Sequence, residues 1–192
     1  MHALGDSRLW WTFLLLLVAV QRLAELRLSA RNARRLLARG GVEAGRGHMP
    51  LLVALHVGFL IACPLEVWRL DRPLRWWLAA PALVVLGLAQ LLRIWAIRSL
   101  GERWSVRVIV VPGVAPVESG PYRHIRHPNY LAVILEIASI PLIHGAWITA
   151  AAFSALNGAA LALRIHVEER LLRQVGSPSA ALEARARFVP HA

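Results

Sequence analysis

The residues best able to do chemistry are gathered in one short stretch, Gly120 to Glu136, which reads GPYRHIRHPNYLAVILE. Arg123, His124, Arg126 and His127 crowd ahead of Pro128, a residue suited to the first turn of a helix because its missing N–H costs nothing there. His127 is thereby expected near the N-cap, with the helix running from Asn129 onward. A helix N-terminus, with free N–H groups and a positive dipole end beside arginine and histidine, suits an anion. Gly120-Pro121 is the turn that lets the loop reverse into it. Tyr130 adds an aromatic ring. Glu136 lies about 12 Å beyond Pro128 along the axis, at 1.5 Å per residue, inside an apolar segment. A carboxyl group at that depth needs a partner and is a functional candidate by default.

A second group, Arg164, Glu168 and Glu169 in RIHVEERLL, closes the last apolar run. Adjacent glutamates on a helix point about 100° apart, so one is expected to face a ligand while the other pairs with arginine or meets water. By itself the pair reads as an ordinary charged helix end. Facing the basic loop across one membrane surface, it becomes half of a site. The two segments together offer an anion site, a carboxylate for hydroxyls or an amine, an aromatic ring and a cleft open to lipid. A charged, nucleotide-like cofactor and a greasy substrate would fit.

The elements that must position these residues are membrane helices. The 192 residues have a mean hydropathy of +0.52, are 57% hydrophobic and include eight tryptophans, which describes one all-α polytopic domain. The formal net charge is +11, and every Lys/Arg position is arginine. Because the arginines sit between hydrophobic runs, the pattern matches the positive-inside rule and speaks against nucleic acid as a partner. A lone cysteine, Cys63, excludes an intramolecular disulfide and a cysteine-based zinc cluster. No HExxH motif points to a metal, and no glycine-rich fingerprint follows a strand.

Five spans are expected. The first is Leu9 to Leu28, read as a retained span rather than a signal peptide because its n-region carries little positive charge and no cleavage site precedes the arginines. Arg22 and Glu25 fall near its end, placed to snorkel or to pair at i,i+3. The arginine block from Arg27 to Gly47 follows as a cytoplasmic loop, which puts the N-terminus outside. Spans two and three run over Met49 to Trp68 and Trp76 to Ser99, with Gln90 and Arg93 inside the latter. In the long loop that follows, RVIVVPGV reads as an extended segment ending in a Pro-Gly turn. Helix four covers Asn129 to Leu142, and helix five Trp147 to Gln174, with the C-terminus cytoplasmic. Fourteen residues rise only about 21 Å, so this hairpin is expected to tilt or to fall short of a bilayer. The transmembrane domain is thus 1–175, its site-bearing part 100–172. The tail 176–192 is polar, with little to bury, and is expected to lack order.

GPYRHIRHPNYL, the Glu168-Glu169 pair with Leu172, and LGERW at Leu100 to Trp104 resemble the isoprenylcysteine carboxyl methyltransferase family of integral membrane enzymes. The resemblance implies S-adenosylmethionine as methyl donor, held between the loop and the paired-glutamate helix, and a lipophilic acceptor arriving from the bilayer of a bacterial inner membrane. Carried over residue by residue, it makes His127, Tyr130 and Glu169 the leading cofactor contacts. Arg123, His124, Arg126, Pro128, Asn129, Arg164 and Glu168 complete the set. Further upstream, VEAGRGHMPLLVALHVGFLIACPLE, with Glu43, Gly45, His48, Pro50, His56 and Glu66, is similar to the bacterial branch that O-methylates alkylresorcinols and alkylpyrones. Many carboxyl-methylating members have glycine two residues after the motif tyrosine, whereas this chain has Ala132, which argues against prenylcysteine as acceptor.

Methyl transfer from a sulfonium is an in-line displacement that depends on alignment and exclusion of water. A phenolic acceptor, with an ordinary pKa near 10, profits from a base. His48, His56 and Glu136 are the candidates for catalysis. The histidines lie about 12 Å apart along a helix, so only one is expected to reach the acceptor. Membrane sterol reductases using NADPH carry a similar His-Pro-Asn-Tyr stretch, but their second signature is replaced here by RIHVEERLL. A non-enzymatic scaffold is opposed by the intact motif and both glutamates.

Overall fold

A computed structural model describes residues 2–175 and 185–188, with side chains described from Ser7. Five helices form the body: α1 (His2–Ala38), α2 (Met49–Arg69), α3 (Trp76–Leu100), α4 (Pro128–Leu142) and α5 (Trp147–Val175). Among the described residues four helices, all but α4, are long and apolar enough to cross a membrane. Bulky apolar side chains such as Trp10, Leu16, Ile61, Trp76 and Leu91 point outward from them, as bilayer-facing surfaces require.

The first helix departs from its expected bounds. It continues through the arginine block to Ala38, where a loop beginning near Arg27 is expected. Arg27, Arg31, Arg34 and Arg35 stand three and four residues apart among alanines and leucines, a spacing and composition that favour helix. Beyond its end, β1 (Val42–Ala44) pairs antiparallel with β2 (Val108–Val110), Val42 opposite Val110 and Ala44 opposite Val108. The extended segment expected around Val108 is therefore present. Its partner lies in the glycine-rich turn, where Glu43 meets Arg107 in an ion pair. That guanidinium holds the Glu43 carboxyl below the ordinary carboxylate range, and the carboxylate in turn raises Arg107.

Helix α4 rises only about 22 Å at 15 residues. Even so, the turn after it reaches the same level as the α2–α3 connection. A side chain on Gly145 would meet the Pro73 carbonyl at 3.3 Å, and Arg72 lies over the Trp147 ring. Glu66, near the end of α2, accepts from the Thr149 N–H at 2.7 Å, the Thr149 hydroxyl at 2.7 Å and the Ile148 N–H at 3.3 Å, and pairs with Arg72 at 2.8 Å. A carboxylate thus sits on the N-terminus of α5, where helix polarity favours it. Trp11, Leu15, Phe59, Val67, Leu86 and Ile140 fill the core beside this end. The functional residues collect at the opposite end and along the interior leading from it.

Candidate functional site

His127 is the N-cap of α4, with Pro128 at the first helical position, as the sequence predicts. A short 3-10 turn, Gly120–Arg123, leads into this loop and packs against the end of α3. Gly120 has φ of +60°, and an added Cβ there would lie 2.0 Å from the Ser99 hydroxyl, so this reversal requires glycine. The loop backbone is used differently from the expectation. The N–H groups of Arg126 and His127 donate to the carbonyls of Ala186 and Arg187 at 3.0 and 3.1 Å. Two of the donors foreseen for an anion are therefore occupied by the chain itself.

The basic loop and the end of α5 meet. Oε1 of Glu169 forms an ion pair with Arg126 at 3.1 Å and lies 3.2 Å from His127 Nε2, and it accepts from Arg187 Nε at 3.0 Å; Oε2 takes Arg187 Nη2 at 2.8 Å. Glu168 accepts instead from the Tyr130 hydroxyl. That hydroxyl also receives the Arg164 Nε–H at 2.8 Å, while the Arg164 guanidinium lies over the Tyr130 ring and donates to the Val106 carbonyl. The His127 and Tyr130 rings stack with centroids 5.3 Å apart. Both glutamates border one cavity, each on its own set of partners, where only one is expected to face a ligand.

That cavity, of about 720 Å³, lies within the range of ligand pockets. Its mouth is formed by Arg126, His127, Asn129, Tyr130, Arg164 and the glutamates, and its depth by Leu52, Val53, Phe59, Val133 and Ile137. Among the described residues, two buried polar atoms at the mouth have no partner, Arg126 Nε and Asn129 Oδ1. A donor and an acceptor left unmatched on one wall are costly unless a ligand satisfies them. Tyr122 also lines the wall; burial first, then the Glu168 charge, raises its pKa and keeps its O–H a donor at neutral pH.

The remaining sequence candidates divide. Arg123 and His124 are exposed and outside the cavity wall, and Pro128 is buried as the start of α4. His48 is likewise outside it: its ring packs over Gly45, whose φ is +71°, and an added Cβ there would lie 2.1 Å from the ring. His56 and Glu136 line the interior. Glu136 has the partners its depth demands, Arg93 at 2.8 and 2.5 Å and Arg22 at 2.6 Å. Arg22 also pairs with Glu25 at i,i+3, turned inward rather than snorkelling.

Residues 185–188 were not among the expected site residues. Arg187 clamps Glu169, Arg185 reaches the Tyr122 carbonyl at 2.8 Å and Glu118 at 2.8 Å, and Phe188 packs near His127. The alternation Arg-Ala-Arg-Phe carried the only sequence hint, two cations following an acidic helix end. Positions 176–184 and 189–192 of the tail lie outside the described residues.

Residues 82–174, from α3 through α5, match the model of the isoprenylcysteine carboxyl methyltransferase family. Over 167 residues the chain is 36% identical to an uncharacterized protein of Bacillus subtilis, YpbQ, covering 86% of this chain and 98% of that protein. The chain belongs to the isoprenylcysteine carboxyl methyltransferase family. An uncharacterized protein of Haemophilus influenzae is 29% identical over 149 residues, 77% of this chain and 86% of its own length. Family membership and the apolar helices make this a membrane methyltransferase. The family match takes in Arg93, the RHPNY loop, Glu136 and both glutamates, whereas His48 and His56 precede it.

Proposed function

We propose that this methyltransferase uses S-adenosylmethionine to O-methylate a lipophilic acceptor of the alkylresorcinol or alkylpyrone type, drawn from the membrane. The observation that carries the reading is the pair of atoms unmatched among the described residues, Arg126 Nε and Asn129 Oδ1, beside Glu168, at the mouth of a cavity whose interior is apolar apart from His56 and one closed group of charges. The donor set fits the cofactor: Arg126 for its carboxylate, Glu168 and Asn129 for its amino or hydroxyl groups, and the His127–Tyr130 stack for a flat or cationic part. When bound, the cofactor supplies an electrophilic methyl group on sulfur. The chain supplies alignment and a dry interior. Glu169 acts through its partners Arg126, His127 and Arg187, fixing the loop rather than waiting for a ligand.

The site face is assigned to the cytoplasm, with the N-terminus outside and the protein in the bacterial inner membrane. Support comes from the arginines Arg27 to Arg46 and Arg164 to Arg173, which cluster at that end. The fully buried Ala132, where many carboxyl-methylating relatives have glycine, favours the polyketide lipid over prenylcysteine. A transfer assay with labelled donor against alkylresorcinol, alkylpyrone and prenylcysteine is expected to label the first two. Label in prenylcysteine alone, or in none of the three, overturns the assignment.

A further inference from the structure

Midway along the cavity, a group of charges outside the cofactor mouth is closed on itself. Arg22 and Glu25 of α1, Arg93 of α3 and Glu136 of α4 make two cations and two anions, joined by the contacts above and by Arg93 to Glu25 at 3.4 Å. Gln21 bridges Glu25 at 3.0 Å and Gln90 at 2.9 Å. The cluster itself therefore has no net charge with which to hold an acidic acceptor. His56 of α2 lines the same cavity as these four charged residues. Its Nδ1 lies 2.8 Å from the Leu52 carbonyl, which can only accept, so Nδ1 carries the hydrogen and Nε2 of the neutral ring holds a lone pair. Nothing among the described residues bonds that lone pair, and the ring borders the cavity.

Depth agrees with an acceptor site. Arg164 Nη1 lies 3.6 Å from Met49 Sδ at the mouth. Both α2 and α4 run inward from there, so His56 lies about 10 Å below Met49, and Glu136 about 9 Å below Tyr130. Of the other charged groups on the cavity wall, Arg164 and Glu168 of α5 are at the mouth, engaged with Tyr130; Arg126 pairs with Glu169 there, Arg107 pairs with Glu43 and Arg39 with Glu102.

We infer that His56 Nε2 is the base of the reaction, and that the acceptor is a neutral molecule with an ionisable O–H, a phenol or enol, rather than a carboxylate. The inference rests on the proposed methyl transfer. The acceptor proton passes to Nε2, the oxygen pair forms the new O–CH₃ bond, and the S–CH₃ pair returns to sulfur, which departs as a neutral thioether. The imidazolium then returns its proton to water. A carboxylate acceptor is already ionised at neutral pH and needs no base.

The test compares full-length wild type, His56→Gln and His48→Gln in nanodiscs, with an alkylresorcinol and with its nitro-substituted analogue, which is ionised at the assay pH. For the neutral acceptor His56→Gln is expected to lower kcat by about 10²- to 10⁴-fold, the usual range for a general base. The deficit is expected to shrink below about tenfold for the ionised analogue, while the Kd for S-adenosylhomocysteine and the rate of His48→Gln stay within threefold of wild type. An unchanged kcat in His56→Gln, or an equal loss on both acceptors, overturns the inference. Should wild type transfer methyl only to a carboxylate, the proposed function fails as well.

Discussion

Two charged clusters built from the same residue types behave differently. At the mouth, Glu169 gathers Arg126, His127 and Arg187, yet Arg126 Nε and Asn129 Oδ1 are left unmatched among the described residues. In the interior, Arg22, Glu25, Arg93 and Glu136 balance to zero, and both oxygens of Glu136 are taken. Charge in a membrane protein therefore has two readings, told apart by unmet hydrogen bonds rather than by depth. The closed cluster braces α1, α3 and α4, and the open one is shaped for a ligand.

Breaking the brace should have the largest effect. Glu136→Ala leaves two guanidiniums without their shared carboxylate, in a site where the Glu136 and Arg93 side chains are about 5% exposed or less. Breaking a buried pair by removing one partner costs about 3–5 kcal/mol. Thermal unfolding in detergent should register it, and Glu136→Gln should recover part of the loss. An equal stability of Glu136→Ala and wild type would remove the distinction between the clusters.

At Gly45 the expected effect is smaller. Gly45→Ala places a methyl against the His48 ring at a φ of +71°, a conformation that costs a side-chain-bearing residue about 1–3 kcal/mol. Unfolding midpoints check this, with Gly47→Ala as control, since a Cβ there meets nothing within 4 Å.

Acid acts on the β1–β2 clamp. The Glu43 carboxyl is held below its ordinary value by Arg107, so its contribution is complete above pH 4.5 and is lost as pH falls through the lower, folded-state value. Wild type is expected to lose more stability than Glu43→Gln between pH 6 and pH 3. Parallel losses would show the clamp to be idle. The smallest effect is expected at Arg35–Glu102, whose side chains are about half exposed; Glu102→Gln should change stability by about 1 kcal/mol or less.

How much of this was legible in the sequence follows the same division. Proline at a helix start and hydrophobic runs of span length placed α2 to α5 nearly to the residue, because each signal is local, whereas α1 runs ten residues past its expected end. The meeting of Tyr130 with Glu168 was legible through charge topology, which placed both segments on one face. Hidden were the links between distant segments. Val42–Ala44 carries glycines on both sides and becomes a strand only because β2 lies beside it. Arg22 reads as an end-of-span residue and Arg93 as a charge inside a span until α4 brings Glu136 between them. Likewise 185–188 offers little apolar surface, and docks through backbone pairing and a guanidinium clamp that hydropathy does not register.

The central claim, that the loop before α4 and the end of α5 jointly hold a sulfonium nucleotide, is tested most directly by calorimetric titration of S-adenosylhomocysteine into the purified protein. Saturable binding of one molecule per chain is expected in wild type, weakened at least tenfold in both Asn129→Ala and Glu168→Ala with unfolding midpoints unchanged. Absence of saturable binding, equal affinity in wild type and both variants, or binding of NADPH in its place would contradict it.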